Sequence, residues 1–373
     1  MNPQRDRRSE PSPPPRRPTR EVRVGNLGIG GLNPIRIQSM TKTETVNVRA
    51  TLRQIRRLAA AGCEIVRVAI PDEESAAAFR EIRRRSDLPL IADIHFHHRL
   101  ALLALEAGAD KIRINPGNIR RPERLLEIIR SASERGVPIR IGVNSGSLPR
   151  SLIAKHGGPS PTALVELARE QAAFFEDQGF TDLVFSLKSS SVRDTIEAYR
   201  LFSQSSTYPL HLGVTEAGPQ LQSAVRSAIG LGWLLLEGIG DTIRVSVTGP
   251  PLQEVAIAQE ILASLNVRHF GPIIISCPTC GRTKVDLPAL VRQVQVALRK
   301  IGLGEPLRIA VMGCAVNGPG EAREADIGVA FDERLAHLFR KGKVIATATF
   351  EEAIPALLEQ IEKGGSRPAP EGH

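Results

Sequence analysis

Three cysteines late in the sequence are the residues whose spacing most plainly offers chemistry. Cys277-Pro-Thr-Cys280 presents two thiols within one turn, and Cys314 follows 34 residues later in the Gly- and Asn-rich stretch MGCAVNGPGEA (312–322). Two thiols that close suit one metal or one cluster, although a lone CxxC is shared by zinc ribbons and redox dithiols. Structural zinc is nearly always held by four Cys or His. No second CxxC and no histidine pair completes such a set here, His269 being the nearest histidine. A 4Fe–4S cluster normally takes four cysteines. Three would leave one iron for a different ligand or for substrate, and Glu321, seven residues beyond Cys314, is well placed to supply an oxygen. Iron–sulfur is the favoured reading, with zinc and inert buried thiols as the alternatives. Cys63, in AAGCEIV among alanines, reads as a packed core residue.

A second set is cationic. Arg67, Arg113, Arg140, Lys188 and Arg244 each stand at or near the end of a separate β-branched run. Burying isolated positive charge is costly, so five cations meeting in one place imply an anionic ligand of comparable charge. Arginine's planar fork suits phosphate oxygens, and a diphosphate is the natural size. The plain alternative is that these arginines point outward and pair with helix carboxylates. Neutral polar groups share the same run ends: Gln38, Ser39, Thr41, Asn115, Asn144 and Ser246. Asp93 and His95 (ADIHF) could orient an arginine or touch substrate. Glu216, in HLGVTEAG beside a glycine-rich loop, is a candidate proton donor if bound substrate neutralises the surrounding cations.

The elements that must position these groups alternate. Short β-branched runs lie at 35–38, 64–70, 89–94, 110–114, 137–143, 181–187, 208–214 and 241–247, separated by helical patterns such as 47–60, 121–135 and 161–178. Several helical patterns end at Gly62, Gly108, Gly136 or Gly179, where a left-handed cap is expected. Eight strand–helix units over ~230 residues fit a closed (β/α)8 TIM-type barrel. An open doubly wound sheet would usually carry a Gly-rich fingerprint after its first strand. Here Gly28, Gly30 and Gly31 precede it, so 22–33 reads as a hairpin closing the lower end. In such a barrel, catalytic groups sit at the C-terminal ends of the strands, where the cations are. Beyond residue 266 the alternation is lost. A strand at 272–276, a helix at 286–300, strands near 307–312, 326–331 and 343–347, and a helix at 350–363 read as a smaller α+β domain. The expected division is a tail over 1–20, a barrel over 21–266, a cluster domain over 267–363 and a frayed end over 364–373.

Composition bounds the function class. The 373 residues are 42% hydrophobic and 24% charged, as in ordinary soluble proteins. No apolar run approaches a membrane span and no secretory pattern opens the chain, so a cytoplasmic enzyme is expected. Four of the nine net positive charges are misleading, because residues 1–20 hold six arginines and six prolines against two carboxylates. That stretch reads as a disordered basic tail. Aromatics at 4% give few stacking platforms, so nucleic acid is not expected as a partner.

Seven segments carry a family resemblance: QSMT (38–41), ADIHF (92–96), KIRINPGN (111–118), IRIGVNSGS (139–147), HLGVTEAG (211–218), SCPTCGR (276–282) and MGCAVNGPGEA (312–322). Over about residues 21–363 the chain resembles the bacterial IspG/GcpE family of 4-hydroxy-3-methylbut-2-en-1-yl diphosphate synthases, in its shorter two-domain form. The resemblance implies reductive ring opening and deoxygenation of 2-C-methyl-D-erythritol 2,4-cyclodiphosphate in non-mevalonate isoprenoid biosynthesis. It implies a 4Fe–4S cluster on Cys277, Cys280, Cys314 and Glu321. It places Arg67, Arg113, Asn115, Arg140, Asn144, Lys188, Arg244 and Ser246 on the diphosphate, and Glu216 as a proposed proton donor. A homodimer is implied as well. No nicotinamide or flavin motif is visible, so ferredoxin or flavodoxin is the expected electron donor.

Two rivals remain at this level. One is a phosphate-handling barrel transferase with structural zinc, the other a nucleic-acid-binding protein using the basic tail. The linker before the cluster domain is short, and this favours a head-to-tail homodimer in which each cluster domain covers its partner's barrel.

Overall fold

A computed structural model of the chain describes residues 15–95, 97–119, 121–301, 307–314 and 325–364. The chain divides into two compact units between Arg268 and His269. In the first, a short antiparallel hairpin, β1 (Val22–Val24) and β2 (Leu27–Ile29), precedes eight parallel strands. These are β3 (Arg36–Met40), β4 (Ile65–Ala69), β5 (Leu90–Asp93), β6 (Lys111–Ile114), β7 (Ile139–Asn144), β8 (Leu183–Lys188), β9 (His211–Leu212) and β10 (Thr242–Ile243). They pair in the order β8-β7-β6-β5-β4-β3-β10-β9. A parallel bridge between Phe185 and Leu210 closes the ring, with Phe185 N–H donating to Pro209 O at 2.9 Å.

Strand periodicity sorts the side chains. On β8, Phe185 faces outward, its ring 5.0 Å from that of Phe202 on helix α7 (Val192–Ser203), while Lys188 faces the interior. The helices between strands are α1 (Val48–Ala60), α2 (Glu73–Arg84), α3 (His98–Glu106), α4 (Pro122–Arg135), α5 (Arg150–His156), α6 (Pro161–Asp177), α8 (Gln220–Leu236) and α9 (Pro251–Ser264). Gly62, Gly108, Gly136 and Gly179 take φ of 90°, 86°, 61° and 72°, as helix ends of this kind require. The hairpin does cap the lower end. Val24 and Ile29 pack with Ile65 and Ile91 in a buried apolar cluster.

Two expectations need correction. The last two barrel strands are far shorter than their β-branched runs. Pro209 has no N–H to give, and Leu210 N–H goes to the Asp241 carboxylate at 2.8 Å, so ladder partners are diverted. Residues 15–20, expected within a disordered tail, are held against the barrel. Arg16 pairs with buried Asp241 at 2.5 Å, Arg17 donates to the carbonyls of Ser206 and Tyr208, and Arg20 lies over the Tyr208 ring at 4.7 Å. Composition marked the stretch as polar. It could not show that a carboxylate and free carbonyls wait at the lower rim.

The second unit is a five-stranded mixed sheet: β11 (Ile273–Ser276), β12 (Arg308–Met312), β13 (Ile327–Phe331), β14 (Ala336–Arg340) and β15 (Lys343–Ala348). The first three are parallel and the last two antiparallel. Helices α10 (Leu287–Ile301) and α11 (Ala353–Gly364) share an apolar core with one sheet face through Leu287, Val294, Leu357 and Ile361 against Ile309, Ile327 and Val329. Strand β14 went unread in the sequence, because AHLFR is short and half polar. Residues 365–373 of the expected frayed end lie outside the described residues. Among the described residues, no helix is long and apolar enough to cross a membrane.

Candidate active site

The barrel interior gathers an excess of positive charge. Arg67, Asp93, Arg113, Arg140 and Lys188 all project inward from successive strands. Asp93, Arg113 and Lys188 stand at or next to strand ends as expected, whereas Arg67 is mid-strand and Arg140 is only the second residue of β7. Arg113 Nη1 donates to Asp93 Oδ1 at 3.3 Å and lies 3.1 Å from His95 Nε2. His95 in turn sits 3.2 Å from Asp93 Oδ2, half-exposed at the rim. Arg67 Nε is 3.8 Å from the same carboxylate and 3.1 Å from Met40 Sδ. With its amide oriented to match its neighbours, Asn144 accepts from Arg113 Nη2 at 3.2 Å. Burial alone would raise the Asp93 carboxyl, but Arg67, the His95 hydrogen bond and Arg113 together hold it well below the usual range. Burial brings Arg67 down to about 10 against the pull of Asp93.

The electrostatics beneath this layer are unbalanced. Arg140 is 1% exposed, and its Nε and Nη1 have no hydrogen-bond partner among the described residues. Burial, with Arg67 and Arg113 nearby, pushes its affinity for a proton well below normal. Burial and then Arg140 do the same to Lys188, with Arg67, Arg244 and Arg113 adding to it. Among the described residues, six cations (Arg67, Lys111, Arg113, Arg140, Lys188 and Arg244) share the interior with two carboxylates, Asp93 and Glu254. An interior so charged is complete only with an anion inside it.

Several participants escaped the sequence reading. Lys111 and His211 begin β6 and β9, are fully buried, and leave Nζ and Nε2 without hydrogen-bond partners among the described residues. Their inward strand parity was the signal available. Gly142 and Gly213 matter for what they lack. A Cβ on Gly142 would lie 2.7 Å from Arg113 Nε, and one on Gly213 would lie 2.7 Å from Lys188 Nζ. The bare backbone of one strand thus gives room for the cation of its neighbour. Glu254, on α9, binds Arg244 and so matches for that one residue the outward-pairing alternative.

The remaining expected residues are more scattered. Asn115 donates to Ser147 Oγ at 2.8 Å, and Ser246 is half-buried in the loop after β10. Glu216 is exposed after β9, with a left-handed φ of 52° uncommon for a side-chain-bearing residue, and Arg226 holds its carbonyl at 3.2 Å.

In the second unit, β11 and β12 are paired neighbours, so Cys277 and Cys314 follow adjacent strand ends. Gly313 N–H donates to Cys277 Sγ at 3.3 Å, and Lys284 N–H donates to Gly313 O at 3.0 Å. The turn that carries Cys280 is closed by Thr283 N–H to Cys280 O at 2.9 Å. None of the three cysteines is in a disulfide. The Cys280 thiol is exposed and lowered by hydrogen bonds, first from the Arg282 backbone. Free sulfurs that accept backbone N–H groups suit thiolate ligands. The described residues alone contain no group of three His, Cys, Asp or Glu that closes a metal shell, and Glu321 lies outside them.

Comparison with known proteins covers both units. The family model described as the GcpE TIM-barrel domain matches residues 19–259, and that of the GcpE protein C-terminal domain matches 273–363. A curated protein of Caldanaerobacter subterraneus subsp. tengcongensis, named 4-hydroxy-3-methylbut-2-en-1-yl diphosphate synthase (flavodoxin), is 52% identical over 93% of this chain and 98% of its own length. Proteins of the same name from Maridesulfovibrio salexigens and Thermodesulfovibrio yellowstonii are 53% and 52% identical over 93% of this chain, and over 97% and 99% of their own lengths.

Proposed function

Because the chain belongs to the GcpE family, we propose that it is a 4-hydroxy-3-methylbut-2-en-1-yl diphosphate synthase acting on 2-C-methyl-D-erythritol 2,4-cyclodiphosphate. The observation that carries the reading is the uncompensated positive interior of the barrel, which asks for a compact polyanion. Arg67, Arg113, Arg140, Lys188 and Arg244 hold the diphosphate, with Asn115, Asn144 and Ser246 fixing its orientation by neutral hydrogen bonds. Asp93 and His95 keep Arg113 in place. As the ring opens, the released diphosphate oxygen gains negative charge against cations already positioned for it. Glu216 delivers a proton so that the other departing oxygen leaves as water. Cys277, Cys280, Cys314 and Glu321 hold a 4Fe–4S cluster, which when bound supplies the two electrons the reaction consumes.

Flavodoxin, which appears in the names of the relatives, or a ferredoxin feeds the electrons in, drawn by the excess positive charge of the chain. The enzyme works in the cytoplasm. A head-to-tail homodimer is supported by how the chain leaves the barrel. Arg268 is still tied to Ile35 O and Glu64 at the lower end, and only residues 269–272 precede β11. Four residues span at most ~15 Å.

The test is anaerobic turnover of iron-reconstituted protein with reduced flavodoxin, followed by phosphorus NMR. The ring resonances of the cyclodiphosphate should give way to those of an open diphosphate. Protein that shows the broad ~400 nm absorption of an iron–sulfur centre yet leaves the ring intact would overturn the reading.

A further inference from the structure

The loop after β10 carries two proposed diphosphate contacts, Arg244 and Ser246, and one buried carboxylate ties that loop down. Glu254 stands in the first turn of α9, its side chain fully enclosed. It accepts from Arg244 Nε and Nη2, both at 3.3 Å, from Ser39 Oγ at 2.8 Å and from Val247 N–H at 3.4 Å. Lys42 Nζ is 3.1 Å from its Oε1 and also donates to Val247 O and Gly249 O, each at 2.5 Å. The carboxylate therefore joins β3, the loop after it, and the loop after β10 across one seam of the barrel.

We propose that Glu254 is a positioning residue for diphosphate binding, setting the plane and direction of the Arg244 guanidinium. A carboxylate gripping Nε and Nη2 occupies one edge of the fork and fixes its plane. Nη1 then has no hydrogen bond with any described residue and is left for an anion. The backbone just after Ser246 is fixed by the same cluster, since Val247 N–H donates to Glu254 and Lys42 donates to Val247 O. A carboxylate that served only to neutralise charge would have no need of this edge-on grip. The inference rests on the reading of Arg244 as a diphosphate contact.

Binding of inorganic diphosphate, measured by calorimetry, tests it without dependence on the cluster. KM and kcat in reconstituted enzyme give a second readout. Glu254→Gln should weaken diphosphate binding and raise KM by ~10–100-fold with kcat changed by less than about threefold, the scale of one charged hydrogen-bonded contact. Arg244→Ala should lose as much, and the double variant should lose no more than Arg244→Ala alone. Glu254→Asp keeps the charge but withdraws the carboxylate by one methylene. It should fall between Glu254→Gln and wild type, and it serves as the test if the glutamine variant fails to fold. Wild-type binding in Glu254→Asp or Glu254→Gln, with Arg244→Ala impaired, overturns the positioning role alone. Wild-type binding in Arg244→Ala removes the diphosphate reading of Arg244 and this inference with it.

Discussion

The two ends of the barrel interior are built on opposite principles. At the floor, Val24, Ile29, Ile65 and Ile91 form a buried apolar cluster. Elsewhere in the same interior Arg67, Arg113 and Arg140 crowd together, and among the described residues Arg140 Nε and Nη1 have no hydrogen-bond partner. Strand β4 serves both, with Ile65 in the apolar cluster and Arg67 two residues further on. The floor stabilises the fold, whereas the mouth is a standing cost that a bound anion offsets. Binding power is thus stored as uncompensated charge, and the apolar floor supplies the stability that makes such storage tolerable.

Substitutions at the two ends should therefore move different quantities. Arg140→Met should lower turnover by about 10²–10³-fold, comparable to removing one preorganised charge stabiliser. The same change should raise stability toward denaturant by about 1–4 kcal/mol, because a buried unpaired charge becomes an apolar side chain. Ile65→Ala at the floor should do the reverse, costing about 2–5 kcal/mol in an unfolding titration with KM unchanged. Gly142→Ala should raise KM by about tenfold with little loss of stability, since the added Cβ meets Arg113 Nε at 2.7 Å and the side chain must shift.

The smallest effect concerns pH. Burial, then Arg140, Lys188, Lys111 and Arg67, hold His211 well below its ordinary range, while its Nδ1 meets the Thr242 hydroxyl at 2.8 Å. Below about pH 6.5 the unfolded chain binds a proton there that the fold refuses, so this residue makes stability fall with falling pH by about 1.4 kcal/mol per unit. His211→Asn should flatten that part of the slope between about pH 6.5 and 5.

Much of this architecture was legible because strands announce themselves twice, by β-branched runs and by the cations set within or just after them. Arg67, Arg113, Arg140 and Lys188 could be read from position alone. Lys111 and His211 were missed because each opens its strand, and only their parity with Arg113 and Gly213 marks them as facing inward. Glu254 was hidden for a different reason: its partners Ser39 and Lys42 lie more than 200 residues away, and they meet it only when the ring closes. The strap at Arg16 and Arg17 was misread because composition reports a segment's own polarity, while its order comes from Asp241 and the carbonyls near Tyr208.

The central claim is that the barrel mouth is a charged site completed by a diphosphate. Denaturant unfolding of wild type and Arg140→Met, each with and without the cyclodiphosphate, tests it most directly. Without ligand the variant should be the more stable. Saturating ligand at about 100 times its dissociation constant should stabilise wild type by about 2.7 kcal/mol and the variant by far less. An equal shift in both proteins, or an unliganded variant less stable than wild type, would contradict the claim.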